Sequence, residues 1–247
     1  MTNKHVFKIV NSLGTLYLLP CPISDETAPW DVLPAANKAV MDGLDYFIVE
    51  NTRTARRFLS KAGVARPIDE LEFRELNEHT AAGREVEELI APLLAGRSAG
   101  VISEAGVPGV ADPGALAVEA CHRHGIRVVP LTGPSSIVLA MMASGLNGQS
   151  FAFNGYLPVK PPERAQAIRR LERRARSEGQ SQMFIEAPYR NAKLMEQLLQ
   201  VLAPATRLTL AMDLTAPGEF IATRTVEEWR RSRLPEMQKR PAIFIVG

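Results

Sequence analysis

Along the first half of the chain, short apolar runs alternate with longer stretches whose apolar positions recur every three or four residues. The runs at 15–19, 44–50, 100–103 and 126–131 read as buried strands, since a strand covered on both faces needs no polar alternation. Between them, 30–41, 52–62, 82–95 and 115–124 carry helical spacing. The clearest is 82–95, where Val86, Leu89, Ile90, Leu93 and Leu94 share one face and acids fill the other. A further helix is expected at 137–144. Strands separated by helices imply right-handed βαβ units in a largely parallel sheet.

Past Gly133 the pattern changes. A strand at 151–156 is followed by Leu157-Pro-Val-Lys-Pro-Pro162, which introduces a polar, arginine-rich helix. Strands are expected at 183–186, 208–212, 219–222 and 242–246, with only one clear helix, 191–202, among them. Neighbours such as 208–212 and 219–222 should therefore run antiparallel. The expected fold class is α/β in two domains: 12–146 with a parallel-rich sheet, and 147–247 with a mixed sheet.

At 247 residues and 46% hydrophobic content the chain can bury a real core. A net charge of +2 excludes no class of partner. The two cysteines, Cys21 and Cys121, lack metal-ligand spacing and read as buried free thiols in a reducing compartment, so no metal is expected. Residues 1–11 are polar and mixed, unlike a signal peptide. The longest apolar segment, 137–146, covers half of the ~20 residues that a membrane span needs. A soluble, cytoplasmic protein with no membrane partner is expected.

The most informative stretch is Val101-Ile-Ser-Glu-Ala-Gly-Val-Pro-Gly-Val-Ala-Asp-Pro-Gly114. Its glycines let backbone approach a ligand, its prolines hold one loop shape, and Asp112 is placed to cap the following helix. Most βα connections take about 2–6 residues, and this one is longer, which favours a ligand site. Neither a triphosphate P-loop nor a G-x-G-x-x-G fingerprint is present. A glycine-rich cradle without a phosphate motif suits a cofactor held by its adenosine and amino-acid portions. A second loop, Pro130-Leu-Thr-Gly-Pro-Ser-Ser136, ends the fourth strand. Ser135 and Ser136 there can cap the next helix or hold a carboxylate or ribose at its N-terminus. The two loops are expected at strand ends lying side by side.

These segments, together with Leu16-Tyr-Leu-Leu-Pro-Cys-Pro-Ile23, Glu50-Asn-Thr-Arg53 and Phe153-Asn-Gly-Tyr-Leu-Pro158, occur in an order and spacing similar to the tetrapyrrole (corrin/porphyrin) methylase superfamily. Within it they most resemble the small-subunit ribosomal-RNA methyltransferase I branch, which methylates a cytidine 2′-hydroxyl. The resemblance runs from about Thr15 to Gly247. It implies S-adenosylmethionine in the cleft between two α/β domains, and a homodimer. The positions that match the cofactor cradle are Pro20, Ser103, Glu104, Ala105, Gly106, Val110, Ser135 and Ser136, with Glu186, Ala211 and Met212 from the second domain.

Several positions depart from the superfamily pattern. Its Glu-Asp-Thr-Arg reads Glu50-Asn51-Thr52-Arg53 here, and its Ser-Asp-Ala-Gly reads Ser103-Glu104-Ala105-Gly106. Its His-Glu-His-Asn reads Asn77-Glu78-His79-Thr80, and its Glu-Ser-Thr-His-Arg reads Glu186-Ala-Pro-Tyr-Arg190. A ribose hydroxyl must lose a proton as it accepts a methyl group, so a base would help. Glu50 and Glu186 are the candidates for catalysis, with Arg53, Glu78 and His79 on the substrate side. Arg53 and Arg57 share a helix face suited to phosphate. Six arginines at 164–176 suit an RNA backbone or, interspersed with glutamates, a solvated helix. Three readings stay open: an RNA 2′-O-methyltransferase acting on the small ribosomal subunit, a methylase of a tetrapyrrole or other small molecule, and a SAM-binding module without turnover.

Overall fold

The computed structural model describes residues 12–77, 80 and 83–247. The chain divides into two compact units. The first, residues 12–22 and 28–134, runs β1 (Thr15–Leu18), α1 (Pro29–Val32), α2 (Ala36–Asp42), β2 (Tyr46–Val49), α3 (Thr52–Ala62), β3 (Glu72–Glu75), α4 (Arg84–Leu94), β4 (Ala99–Ile102), α5 (Gly114–Arg123) and β5 (Arg127–Pro130). Its five strands form one sheet in the order β3-β2-β4-β1-β5, and every pairing is parallel.

Alternation along the strands assigns side chains to opposite faces. Leu16, Ile48 and Val101 pack under Val86, Leu89, Ile90 and Leu93 of α4 and Ala117 and Ala120 of α5. Leu19, Phe47, Val49 and Ile102 pack under Met41 of α2 and Ala55, Phe58 and Leu59 of α3. Helices thus cover both faces, which is why β2 and β4 are buried at all four positions. Two expectations are corrected. The 30–41 helix is two helices, because Leu33 ahead of Pro34 is extended (φ −103°, ψ 138°). Strand β3, with the sequence Glu-Phe-Arg-Glu, was not expected; it lies at the sheet edge, where charge carries no penalty.

The second unit, residues 23–27 and 135–247, contains α6 (Ser136–Ser144), β6 (Phe151–Tyr156), α7 (Pro161–Glu178), β7 (Ser181–Ile185), α8 (Asn191–Val201), β8 (Arg207–Met212), β9 (Phe220–Thr225), α9 (Val226–Arg231) and β10 (Ala242–Val246). Its sheet order is β6-β7-β10-β8-β9; β6 and β7 are parallel and the other pairings antiparallel, a mixed sheet as expected. Ile168, Leu171, Leu194, Leu198 and Trp229 from α7, α8 and α9 fill one face against Phe184, Leu210 and Phe244. Ala140 and Met141 of α6 pack on the other face with Met183, Ala211 and Ile243, so this helix counts with the second unit although it precedes residue 147. The unexpected α9 begins at a reciprocal capping box between Thr225 and Glu228.

Candidate functional site

The carboxyl end of β4 is where the first unit's connections diverge. Its loop runs to α5 on one face, while those of its neighbours β1 and β2 run to α2 and α3 on the other. In open α/β sheets such a divergence leaves a crevice. The expectation that the loops after β4 and β5 sit on adjacent strands is corrected: β1 lies between them. The short loop after β1 links to both. The Cys21 amide donates to the Gly106 carbonyl at 2.9 Å, and the Cys21 thiol to the Ser103 carbonyl at 3.3 Å. On the other side, a Cβ added to Gly133 would fall 2.2 Å from Pro20 Cβ, so only glycine lets these segments pass. The Asn37 side-chain amide, buried on α2, donates to the Thr132 carbonyl at 2.9 Å.

Within the loop after β4, Ser103 and Gly106 are buried while Glu104, Ala105 and Val110 are exposed. Gly106 adopts φ 75°, a conformation costly to any residue with a Cβ. Asp112 staples the loop: its Oδ1 accepts from the amides of Gly109 (2.8 Å) and Gly114 (2.7 Å). The second bond reaches the first residue of α5, so the expected capping role holds in part. Burial pushes the Asp112 carboxyl up from its ordinary value, the two amides opposing, and its Oδ2 is buried without a hydrogen-bond partner. Asp112 also lines a small cavity with Glu50, Leu76 and Ile102.

Glu50, half-buried after β2, accepts the Glu104 amide on Oε2 at 3.1 Å and therefore braces the loop. Asn51, where the family pattern has a carboxylate, caps α3 by accepting the Thr54 amide at 3.1 Å. Arg53 is exposed on the first turn of α3, whereas Arg56 is committed to Asp69 and lies over the Phe73 ring. Glu78 and His79 lie outside the described residues. Both cysteines are buried free thiols, as expected; burial pushes Cys21 up to about 12 and Cys121 to about 11, so neither is a ready nucleophile.

In the second unit, Ser135 caps α6 through the Val138 amide (3.4 Å) and Ser136 is its first residue. Ala211 and Met212 are buried at the end of β8, between β10 and β9. The Met212 side chain is spent in the core, which leaves its backbone as the part able to meet a ligand. Glu186, directly after β7, is buried. Its Oε1 accepts from the Ala187 amide (2.8 Å) and from Arg190 (2.6 Å), and its Oε2 faces Arg164 Nη1 at 3.7 Å without a hydrogen bond. Arg164 accordingly leaves the set of RNA-facing arginines: it sits in the buried stripe of α7 with Ala167, Ile168 and Leu171 and donates to Gln197. Arg169, Arg170, Arg173 and Arg176 are exposed.

Sequence reasoning missed the parts played by Cys21, Asn37, Gly133 and Arg164. An asparagine within the apolar helical spacing around Met41 was the one local signal among them.

Residues 31–229 match the family model described as Tetrapyrrole (Corrin/Porphyrin) Methylases. The chain is 30% identical over 233 residues to a ribosomal RNA small subunit methyltransferase I of Xylella fastidiosa, covering 94% of this chain and 80% of that one. It is 32% identical over 218 residues to the protein of the same name from Escherichia coli O157:H7, covering 88% and 71%. Among solved structures it is similar to the methyltransferase CobJ (TM-score 0.62, 20% identity, 95% of this chain and 94% of that one). It is also similar to a uroporphyrin-III C-methyltransferase from Thermus thermophilus (TM-score 0.53, 22% identity, 95% and 92%). These last two likenesses bear on the fold. With four fifths of its length inside the family model, the chain belongs to the tetrapyrrole (corrin/porphyrin) methylases.

Proposed function

We propose that this chain is an S-adenosylmethionine-dependent methyltransferase whose acceptor is a cytidine 2′-hydroxyl in small-subunit ribosomal RNA. The observation that carries the reading is the braced loop 103–106 at the diverging end of β4, in a methylase whose relatives at 30–32% identity bear the small-subunit ribosomal RNA methyltransferase name. S-adenosylmethionine supplies an electrophilic methyl group on a sulfonium; transfer to an oxygen leaves a neutral thioether and releases one proton.

The residues fit such a group. Ser103, Ala105 and Gly106 offer backbone and a small wall beside Pro20, and the exposed Glu104 carboxylate complements a cationic ligand. Val110 at the loop tip, Ser135 and Ser136 at the start of α6, and Glu186, Ala211 and Met212 complete the proposed contacts. Glu50, held at the Glu104 amide, is the proposed proton acceptor. Glu186 is better suited to orienting Arg190 than to accepting a proton, because its Oε1 already takes three hydrogen bonds, two of them from Arg190. Arg53, Glu78 and His79 are proposed on the acceptor side.

We further place the protein in the cytoplasm as a homodimer. No helix among the described residues is long and apolar enough to cross a membrane. The test is incubation with methyl-labelled S-adenosylmethionine and small ribosomal subunits lacking the modification, with a tetrapyrrole precursor in parallel. Label recovered on a ribose of a cytidine is expected. Label on the tetrapyrrole alone, or transfer to neither, overturns the acceptor.

A further inference from the structure

At the edge of the second unit, the parallel strands β6 and β7 end together, with Tyr156 opposite Ile185. Just beyond them stand two aromatic side chains that the core does not use: Tyr156 is 64% exposed and Tyr189 70% exposed. Between them in chemistry is Arg190. Its guanidinium lies 5.1 Å from the centre of the Tyr189 ring and donates to the Tyr189 hydroxyl at 3.2 Å. The same guanidinium is anchored on the buried Glu186, which also faces Arg164. Two guanidiniums therefore share one carboxylate, and the cluster keeps a net positive charge. One face of the Tyr189 ring is held by a cation, and the high exposure leaves the remainder open.

We propose that Tyr156 and Tyr189, with Arg190 held against the Tyr189 ring by Glu186, form a stacking platform for unpaired bases of an RNA strand. This inference rests on the RNA acceptor proposed above and assigns a surface that presents it. Exposed aromatic rings beside a pre-ordered guanidinium are the chemistry that single-stranded nucleic acid selects, because every base has a face to stack and a phosphate to neutralise. A buried anchor also makes the site rigid: Arg190 enters the complex already ordered, so little rotamer freedom is lost on binding.

The test uses the full-length protein and the variants Tyr156→Ala, Tyr189→Ala, the double variant and Tyr189→Phe. These side chains are exposed, so folding is not at stake. Anisotropy of a dye-labelled single-stranded oligoribonucleotide reports binding, steady-state transfer to small subunits gives KM and kcat, and calorimetry reports S-adenosylmethionine affinity. The double variant is expected to lose about tenfold or more in oligonucleotide affinity and to raise KM similarly. Its kcat at saturation and its cofactor affinity should stay within about twofold of wild type, and Tyr189→Phe should retain binding because it keeps the ring face. If wild type methylates RNA but the double variant binds and turns over as well as wild type, the platform is refuted and the acceptor stands. If the double variant loses binding to subunits but not to the oligonucleotide, the surface meets protein and the inference also fails. If wild type transfers no methyl to RNA, the acceptor itself has failed and the platform falls with it.

Discussion

Replacing Asp112 with alanine would show whether the loop after β4 is a built cradle or only a connection. Asp112 Oδ1 holds two backbone amides, Gly109 and Gly114, at 2.8 and 2.7 Å. Removing the acceptor orphans both, one of them at the first residue of α5. Hydrogen bonds to a charged group contribute about 1.5–3 kcal/mol each, and losing a helix cap alone costs about 1 kcal/mol. Against this, alanine relieves the burial that raises the Asp112 carboxyl. That relief offsets part of the loss, because burial disfavours the charged form of this carboxyl. A net loss of about 2 kcal/mol is expected, or a melting point lower by about 4–8 °C for a protein of this size.

Asp112→Asn keeps a carbonyl acceptor without the charge and should restore most of that difference. The raised carboxyl gives a second signature with a definite sign. The folded value lies above the unfolded one, so the buried carboxylate costs stability above both and that cost fades as pH falls through the folded value. The gap between wild type and the asparagine variant should therefore shift in favour of wild type on acidification toward pH 4. The assay is thermal melting from pH 4 to 8, with calorimetric titration of S-adenosylmethionine on folded protein. Cofactor affinity should fall about tenfold or more in Asp112→Ala, because Ser103–Gly106 geometry depends on the same loop closure. A melting point within 1 °C of wild type together with unchanged cofactor affinity would refute the staple.

Three further outcomes are expected. Gly133→Ala puts a Cβ against the Pro20 ring, 2.2 Å from its nearest atom, and should cost about 1–3 kcal/mol in denaturant melts; Gly109→Ala, at φ 82° with nothing within 4 Å, should cost only about 1 kcal/mol. The Arg97 guanidinium holds the Glu72 carboxyl below its ordinary value, so this contribution is complete above about pH 4.5 and is lost as pH falls through the folded value; Arg97→Ala should therefore destabilise more at pH 7 than at pH 3. With the two side chains 35% and 38% exposed, screening limits that difference to about 1 kcal/mol or less, and equal loss at both pH values would point to packing on Tyr46 instead. Arg53→Ala combined with glutamine at Arg169, Arg173 and Arg176 should weaken RNA binding and flatten its salt dependence by about 0.7–0.9 in the log–log slope for each phosphate no longer neutralised; an unchanged slope would remove these arginines from the RNA surface.

Much of this architecture is legible along the chain because the signals are local. The helix expected at 52–62 coincides with α3, since Asn51 caps it and Gly63 ends it in a left-handed turn (φ 64°). The strands β6 and β10 also fall where apolar spacing puts them. Even α9, which periodicity does not reveal, is announced by Thr225 and Glu228 three residues apart; six residues are simply too short for a helical period to register. The edge strand β3 leaves no such mark, because a strand with a solvent-facing side tolerates glutamate and arginine.

Composition, punctuation and spacing by themselves determined that this chain alternates strand and helix, changes to a mixed sheet, and carries a long glycine–proline loop at its third buried run. Each of those depends on interactions a few residues apart, so the order of residues contains them. Strand order does not. That β1 lies between β4 and β5, so that Cys21 rather than the loop of the fourth run braces Gly106, follows from which buried faces match across the sheet. The same holds for Arg164: six arginines in a row of helical positions look alike in sequence, and only packing on the second sheet buries this one against Glu186 while Arg169, Arg173 and Arg176 stay in water. Burial is a property of the whole surface that folding removes from solvent, and it is decided by partners that lie 22 to 85 residues away in the chain.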